Sequence, residues 1–438
     1  MSAFRSGVKV VTALLFLFAC SRVQAQAPLA AQHLASAIQF RTISHQSSAD
    51  DDLTAFANFR AWLDATYPKT AAKLQHELVP GGALLYKWQG SDPTLPGVMF
   101  MAHQDVVPIE AGTESQWTQS SFGGTIADGF VWGRGSLDDK GILVSLFEAS
   151  EALLAANFTP KRTIYFALGA DEEVGGLRGA RNIADLLAQR SVRLAWVLDE
   201  GSSIVTDVSD PQQRLVAKIG IGQKGYATYQ LTARGPGGHA SMPPATTAIS
   251  MLSSALVQLA DHPFSPPLEL RRNPMRKASV SDDAANRTTL VPTILTAGVK
   301  DNVLPSIATA VLNARIIPGN TVDQILAYIR TTISDCNVEV VTKVGVNPAP
   351  LSSTTGPGYQ ALQASMTSLA SGTPMTTGLI NATTDARHMA QIADAIYYFQ
   401  PWILHPDDLG RIHGSNERLA ITQLMFGIRF FTDLMQRQ

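Results

Sequence analysis

The sequence predicts a two-part α/β protein: a mostly parallel sheet covered by helices, carrying a smaller inserted α+β sandwich. Three observations lead there. Short apolar runs alternate with helix-spaced segments through the first half of the chain. From about Gly222 the pattern changes to half-exposed alternating strands, and the first style resumes before a closing helix. The length of 438 residues also exceeds one ordinary core.

The elements follow in order. Residues 1–25 read as a signal peptide: Arg5 and Lys9 precede the apolar run Val10 to Ala19, and Val23-Gln24-Ala25 offers small residues for cleavage. The run is shorter than the ~20 residues of a membrane span. Leu17-Phe18-Ala19-Cys20 loosely resembles a lipobox, which would make a membrane-tethered lipoprotein instead. Both readings expect a secreted or periplasmic protein. Once Cys20 is cleaved away, only Cys336 remains, so no intrachain disulfide forms and Cys336 reads as a packing residue.

Helices are expected over Leu29 to Phe40 and Leu53 to Tyr67. Strands are expected at Ala83 to Trp88, Gly97 to Ala102, Thr163 to Leu168 and Ala195 to Leu198, with helices at Ile142 to Ala155 and Asn182 to Arg190. This first part covers 28–220. The insertion, 221–339, reads strand (Tyr226 to Ala233), helix (Ala245 to Leu259), strand (Ala308 to Arg315), helix (Val322 to Ile333), strand (Val338 to Val341). Pro263 to Arg287 reads as a surface excursion. The first part resumes over 340–438, with a helix from Tyr359, a strand at Ala395 to Phe399 and a closing helix from Ile421 to Met435.

A hydrophobic fraction of 45% and a charged fraction of 16% describe a globular chain. A net charge of −2 with no long run of one sign gives no reason to expect nucleic acid or an anionic membrane surface as partner.

Chemistry gathers where predicted strands end: His103-Gln104-Asp105, Asp138-Asp139-Lys140, Asp171-Glu172-Glu173 and Asp199-Glu200. In open α/β sheets ligands bind at the carboxyl ends of strands. Carboxylates converging there repel, and their proton affinities rise. A divalent cation removes the conflict. Imidazole mixed with carboxylates suits zinc, with manganese or cobalt as substitutes. A single such cluster would more often be a helix cap, and Asp138 does precede a helix; four clusters at strand ends argue for a site.

The strings MAHQDVVP, WGRGSLDDKG, ADEEVGG, LDEG, GPGGHASMPP and RIHGSNE, in that order, make the chain resemble the dinuclear zinc aminoacylase and carboxypeptidase metallopeptidases. That family includes carboxypeptidase S, glutamate carboxypeptidase and aminoacylase. TTDARHM and IHGSNE look most like the carboxypeptidase S branch. The resemblance covers nearly all of the chain after the leader. It implies two zinc ions per chain. One would be held by His103 and Asp199, the other by Glu173 and His413, with Asp138 shared; His405 is the rival of His413. It further implies Glu172 as general base, Asp105 orienting the His103 ring, and a cis peptide after Asp138. His239 would stabilise the oxyanion from a partner subunit, which implies a homodimer through the inserted lid. Asn302, Arg315 and Arg387 match positions that contact substrate, and His388 would orient Arg387.

The function expected from the resemblance is release of a C-terminal amino acid from short peptides. Hydrolysis of N-acyl amino acids is the alternative, since the same chemistry needs only a different acyl pocket. An aminopeptidase type and an inactive peptide- or metal-binding relative are remoter alternatives; the presence of Glu172 and of every expected ligand weighs against inactivity.

Overall fold

The computed structural model describes residues 28–207, 210–264, 287–333, 337–380 and 382–438. The leader with its cleavage and lipobox features, Cys336 and nearly all of the 263–287 excursion lie outside them. The chain divides into two compact units.

The first unit comprises residues up to Ile219, Thr354–Thr376 and Thr384–Gln438. At its centre four strands run parallel, in the order Ile164–Gly169, Gly97–His103, Leu194–Asp199, Ile396–Tyr398. They are apolar at nearly every position because helices cover both faces of such a sheet, leaving no wet side to alternate with. Every residue of the first three is buried. Leu84–Trp88 joins Ile164–Gly169 antiparallel, and Gln75–Leu78 joins Leu84–Trp88 the same way. The sheet is therefore mixed, with a parallel centre.

The helix Lys140–Ala155 is apolar almost all round and packs among the helices Pro28–Gln39, Pro68–Lys73 and Ile421–Gln436. Trp402 fixes how closely the last of these approaches: a Cβ on Gly427 would fall 2.4 Å from its ring.

The second unit is Gly220–Ser353 with Thr377–Thr383. The expected return to the first unit at residue 340 falls inside a strand, Val338–Val346, and is corrected to Thr354. That strand stays in the insertion because it pairs antiparallel with Gly225–Arg234 along its length. A further strand, Thr289–Ala297, was not anticipated. The sheet order is Thr289–Ala297, Ile307–Ile316, Gly225–Arg234, Val338–Val346, all antiparallel. The helices Ala248–Asp261 and Val322–Thr332 supply its core with Leu252, Ile325 and Ile329; each starts at a threonine capping box.

Among the described residues no helix is long and apolar enough to cross a membrane.

Candidate metal centre

Three adjacent parallel strands end side by side, and their last residues bring the acids together. His103 closes Gly97–His103, in register with Gly169 of the neighbouring strand; Glu172 and Glu173 follow Gly169 in a short 3-10 turn. Asp199 closes Leu194–Asp199 on the other side. Asp138 arrives from the loop before Lys140–Ala155, and the Asp138–Asp139 peptide is cis, as the resemblance implied.

Asp138 stands between two imidazoles. Its Oδ1 lies 3.0 Å from His103 Nε2 and its Oδ2 lies 3.1 Å from His413 Nε2. His413 Nε2 also lies 3.0 Å from Glu173 Oε2. The backbone at His413 is left-handed, φ 63°, which aims a loop residue inward. His405 is elsewhere, exposed at the cap of the short helix Pro406–Leu409. His413 is thus the late histidine that the structure brings to Asp138 and Glu173.

Asp199, which the resemblance implied beside His103, is a buried carboxylate that feels the His103 charge but lies outside the closest groups of donor atoms. Its Oδ1 accepts the Glu200 N–H at 3.0 Å and its Oδ2 accepts the Ala386 N–H at 2.8 Å, so both oxygens serve the main chain. Glu200 stands there instead, its Oε1 3.7 Å from His103 Nε2. Two groups of donor atoms result, His103 with Asp138 and Glu173, and His103 with Glu172 and Glu200; within each group the atoms lie within 4.8 Å of one another.

Asp105 does more than orient a ring. His103 Nδ1 lies 3.0 Å from the Asp105 carbonyl oxygen and 3.5 Å from the carboxylate. The carboxylate itself accepts the Ser44 hydroxyl and the N–H groups of Glu172 and Glu173. It therefore fixes the turn that presents both glutamates. Burial pushes the Asp105 carboxyl up, but the His103 ring, Ser44 and the Glu173 N–H together hold it below its ordinary range.

The remaining acids show the conflict expected of crowded carboxylates. Burial, reinforced by neighbouring carboxylates, pushes Glu172, Glu200 and Asp139 well above their ordinary range and raises Glu173 less; burial alone raises Asp199, against the hydrogen bonds it accepts and the His103 charge. His413 is pushed up to about 10 by its bonds to Asp138 and Glu173. Glu173 Oε1 and Asp139 Oδ1 are buried with no hydrogen-bond partner among the described residues. Two imidazoles, a shared carboxylate and orphaned acceptor oxygens are a donor set that fits zinc.

Residues that the sequence reading had not singled out hold this centre. Glu417 is fully buried. Its Oε1 accepts the N–H groups of Gly135, Leu137 and Asp138, and its Oε2 lies 2.6 Å from Arg134 Nη1. Arg134 Nη2 donates to the His413 and Gly414 carbonyls. Asp385 is buried beside the 169–176 segment, with neither oxygen partnered among the described residues. Arg387, expected to await a substrate carboxylate, donates to the Gly175 carbonyl, and His388 Nε2 reaches the same oxygen at 3.2 Å.

The other expected residues belong to the second unit. His239 is exposed, and its Nδ1 accepts from the Ser241 N–H at 3.1 Å. The two-residue strand Gly238–His239 pairs with Val303–Leu304, and the Asn302 carbonyl accepts the Ala240 N–H, so His239 and Asn302 lie close together. Arg315 is not with them: its guanidinium lies 5.0 Å from the Tyr226 ring centroid, across one register pair of strands.

Comparison with known proteins agrees with this arrangement. The chain is 34% identical over 440 residues to the N-fatty-acyl-amino acid synthase/hydrolase PM20D1 of Xenopus tropicalis, covering 92% of this chain and 84% of the relative. It is 33% identical over 440 residues to the probable carboxypeptidase S-like 2 of Dictyostelium discoideum, covering 93% and 84%. The fold matches an M20 family metallo-carboxypeptidase from Sulfolobus solfataricus at a TM-score of 0.66 and 16% identity, covering 92% of this chain and 97% of that one. It also matches aminopeptidase PepT from Bacillus cereus at 0.67 and 15%, covering 94% and 98%. Residues 99–437 match the model for peptidase family M20/M25/M40, and the chain belongs to that family of metal-dependent hydrolases.

Proposed function

We propose that the protein cleaves an amide bond to release an amino acid with a free carboxylate, acting on short peptides at a two-cation centre. The observation that carries this reading is Asp138, with one oxygen toward His103 and the other toward His413. His103, Asp138 and Glu200 would hold one ion; Asp138, Glu173 and His413 would hold the other. When bound, the cations supply Lewis acidity and bring the pKa of a water toward neutrality.

The chain's own residues do the rest. Glu172, half-buried in the turn beside the centre, would in its carboxylate form accept a proton from the attacking water and return it to the leaving amine; its raised proton affinity makes that carboxylate the stronger base. Asp105 keeps the Glu172 turn fixed through that transfer. Hydrolysis of N-acyl amino acids is the second reading, favoured by the 34% identity to an N-fatty-acyl-amino acid synthase/hydrolase.

A homodimer through the second unit belongs to the same proposal. Its edge strand Thr289–Ala297 exposes Val291, Ile294 and Leu295, and the opposite edge exposes Val341, Val344 and Val346. Such paired edges invite a second copy. His239 would then serve the partner's oxyanion, and His239→Ala should lower kcat far more than zinc affinity. Export belongs to it too, supported by the sequence of residues 1–25, with cleavage before Gln26 checked by N-terminal sequencing of the exported protein.

The experiment is a screen of dipeptides and N-acyl amino acids with zinc-loaded protein, read by free amino acid, alongside Glu172→Gln. The variant should hold two zincs and turn over nothing. Retained turnover would sink the Glu172 assignment, and release from C-terminally blocked substrates would sink the requirement for a free carboxylate.

A further inference from the structure

Within the first unit, and apart from the acidic cluster, lies a cavity of about 590 Å³. That volume is in the range of small-molecule sites. Leu53, Leu78 and Leu177 line it, and they are 71%, 58% and 65% exposed. They come from three separate segments: a helix, a strand and the loop after Val174. One exposed leucine is ordinary on a protein surface; three around one concavity mark a place where an apolar ligand would remove them from water. Phe56 and Ala170, both buried, complete the apolar wall.

The charge of the cavity is set by Arg60. It is half-buried, and no carboxylate lies within ion-pair distance of it among the described residues. Burial pushes its guanidinium below its ordinary range. The cavity's one acid, Asp51, is already engaged: its Oδ1 accepts the His45 N–H at 2.7 Å and its Oδ2 lies 3.5 Å from Arg178. Ser48, Asn182 and Arg178 also line the cavity, but Arg178 is paired with Asp51 and Asp171, so Arg60 is the lining cation without a carboxylate at ion-pair distance among the described residues.

We propose that this cavity binds an alkyl chain headed by a carboxylate, with the headgroup on Arg60 and the chain against Leu53, Leu78 and Leu177. A guanidinium holds a single carboxylate bidentately, which a neutral or cationic headgroup does not match. The site is separate from the reaction centre, since none of the centre's donors lines it. It is nevertheless joined to it by one loop. The segment from Ala170 to Arg178 gives Glu172 and Glu173 to the centre and Ala170, Leu177 and Arg178 to the cavity. The Asp171 carboxylate ties the ends of that loop together by accepting the Arg178 and Gly179 N–H groups. The proposal does not depend on which substrate the centre cleaves.

The test is calorimetric titration of zinc-loaded, full-length protein with octanoate, decanoate, dodecanoate and decanol. Affinity should tighten about fourfold per added methylene, the equivalent of ~0.8 kcal/mol. Arg60→Gln should weaken decanoate at least tenfold and leave decanol unchanged. Leu177→Asp should weaken both. Both positions are solvent-accessible, so thermal midpoints should match wild type and show that each variant is folded. Unchanged decanoate affinity in both variants overturns the proposal. So does loss of decanoate binding on removing zinc, which would put the carboxylate on the metals.

Discussion

Arg134 and Glu417 meet at 2.6 Å although 283 residues of sequence separate them. Each also holds a different loop of the centre. Glu417 gathers the N–H groups leading to Asp138, and Arg134 gathers the carbonyls at His413 and Gly414. The pair therefore ties the Asp138 loop to the His413 loop. Removing one member leaves a buried charge uncompensated, at ~3–5 kcal/mol. Glu417→Gln should lower the urea-unfolding free energy by about that much. Groups that orient metal ligands typically govern about 10–100-fold in metal affinity, and a zinc-chelator competition should show a loss of that size. Wild-type zinc affinity in the variant would show that the clamp serves stability alone.

Glu200 and Asp199 are adjacent, yet they should fail differently. Glu200→Gln should release the ion held by His103, leaving about one zinc per chain by atomic absorption. Asp199→Asn should keep both ions and lose stability, because an amide has only one acceptor for the Glu200 and Ala386 N–H groups. Reversed outcomes would make Asp199 the ligand.

Gly176 should tolerate no side chain. A Cβ there would lie 1.8 Å from Asp385 Oδ1, and its φ of +65° is left-handed. Gly112, at φ +86°, has nothing within 4 Å and is the control. Gly112→Ala should cost only the ~1–2 kcal/mol of left-handed backbone. Gly176→Ala should cost clearly more and impair turnover, because it displaces the loop carrying Glu172. Equal costs would mean that Asp385 moves aside freely.

His388 makes an acid-stability prediction. Burial, then Arg387, holds its imidazole down to about 4, against an ordinary value of 6.5. Between those values the unfolded chain binds a proton that the folded chain refuses, so stability falls as pH drops from about 6.5 to 4. His388→Gln should flatten that part of the stability curve, measured by urea midpoints at pH 7 and pH 5. An unchanged slope would assign the acid limb to the carboxylates alone.

The parallel strands were legible because burial on both faces makes them unbroken apolar runs, and an acid at the end of such a run is conspicuous. His103, Glu172 and Glu173 stand at or just after the ends of such runs, whereas Asp138 comes from a loop before a helix, and the structure brings all four together. Thr289–Ala297 was hidden because it carries Pro292 and is mostly exposed, so it has neither an apolar run nor clean alternation. The choice between Asp199 and Glu200 was hidden for a different reason. Successive residues at a strand end point to opposite sides, and nothing local in the sequence says which side faces the site. The role of Glu417 has no local signature, because it depends on Arg134, far away in the chain. A buried acid three residues after a loop glycine, matched by an arginine just before the Asp138 loop, is the signal that was available.

The Arg134–Glu417 clamp also joins an early part of the chain to a late one: the Asp138 and His413 loops are tied together only when both are present. The first donors to leave the ribosome, His103 and Asp138, are joined by His413 only after most of the polypeptide has emerged. A chain that stops short of Glu417 therefore has its Asp138 loop without the acceptor for the Gly135, Leu137 and Asp138 N–H groups.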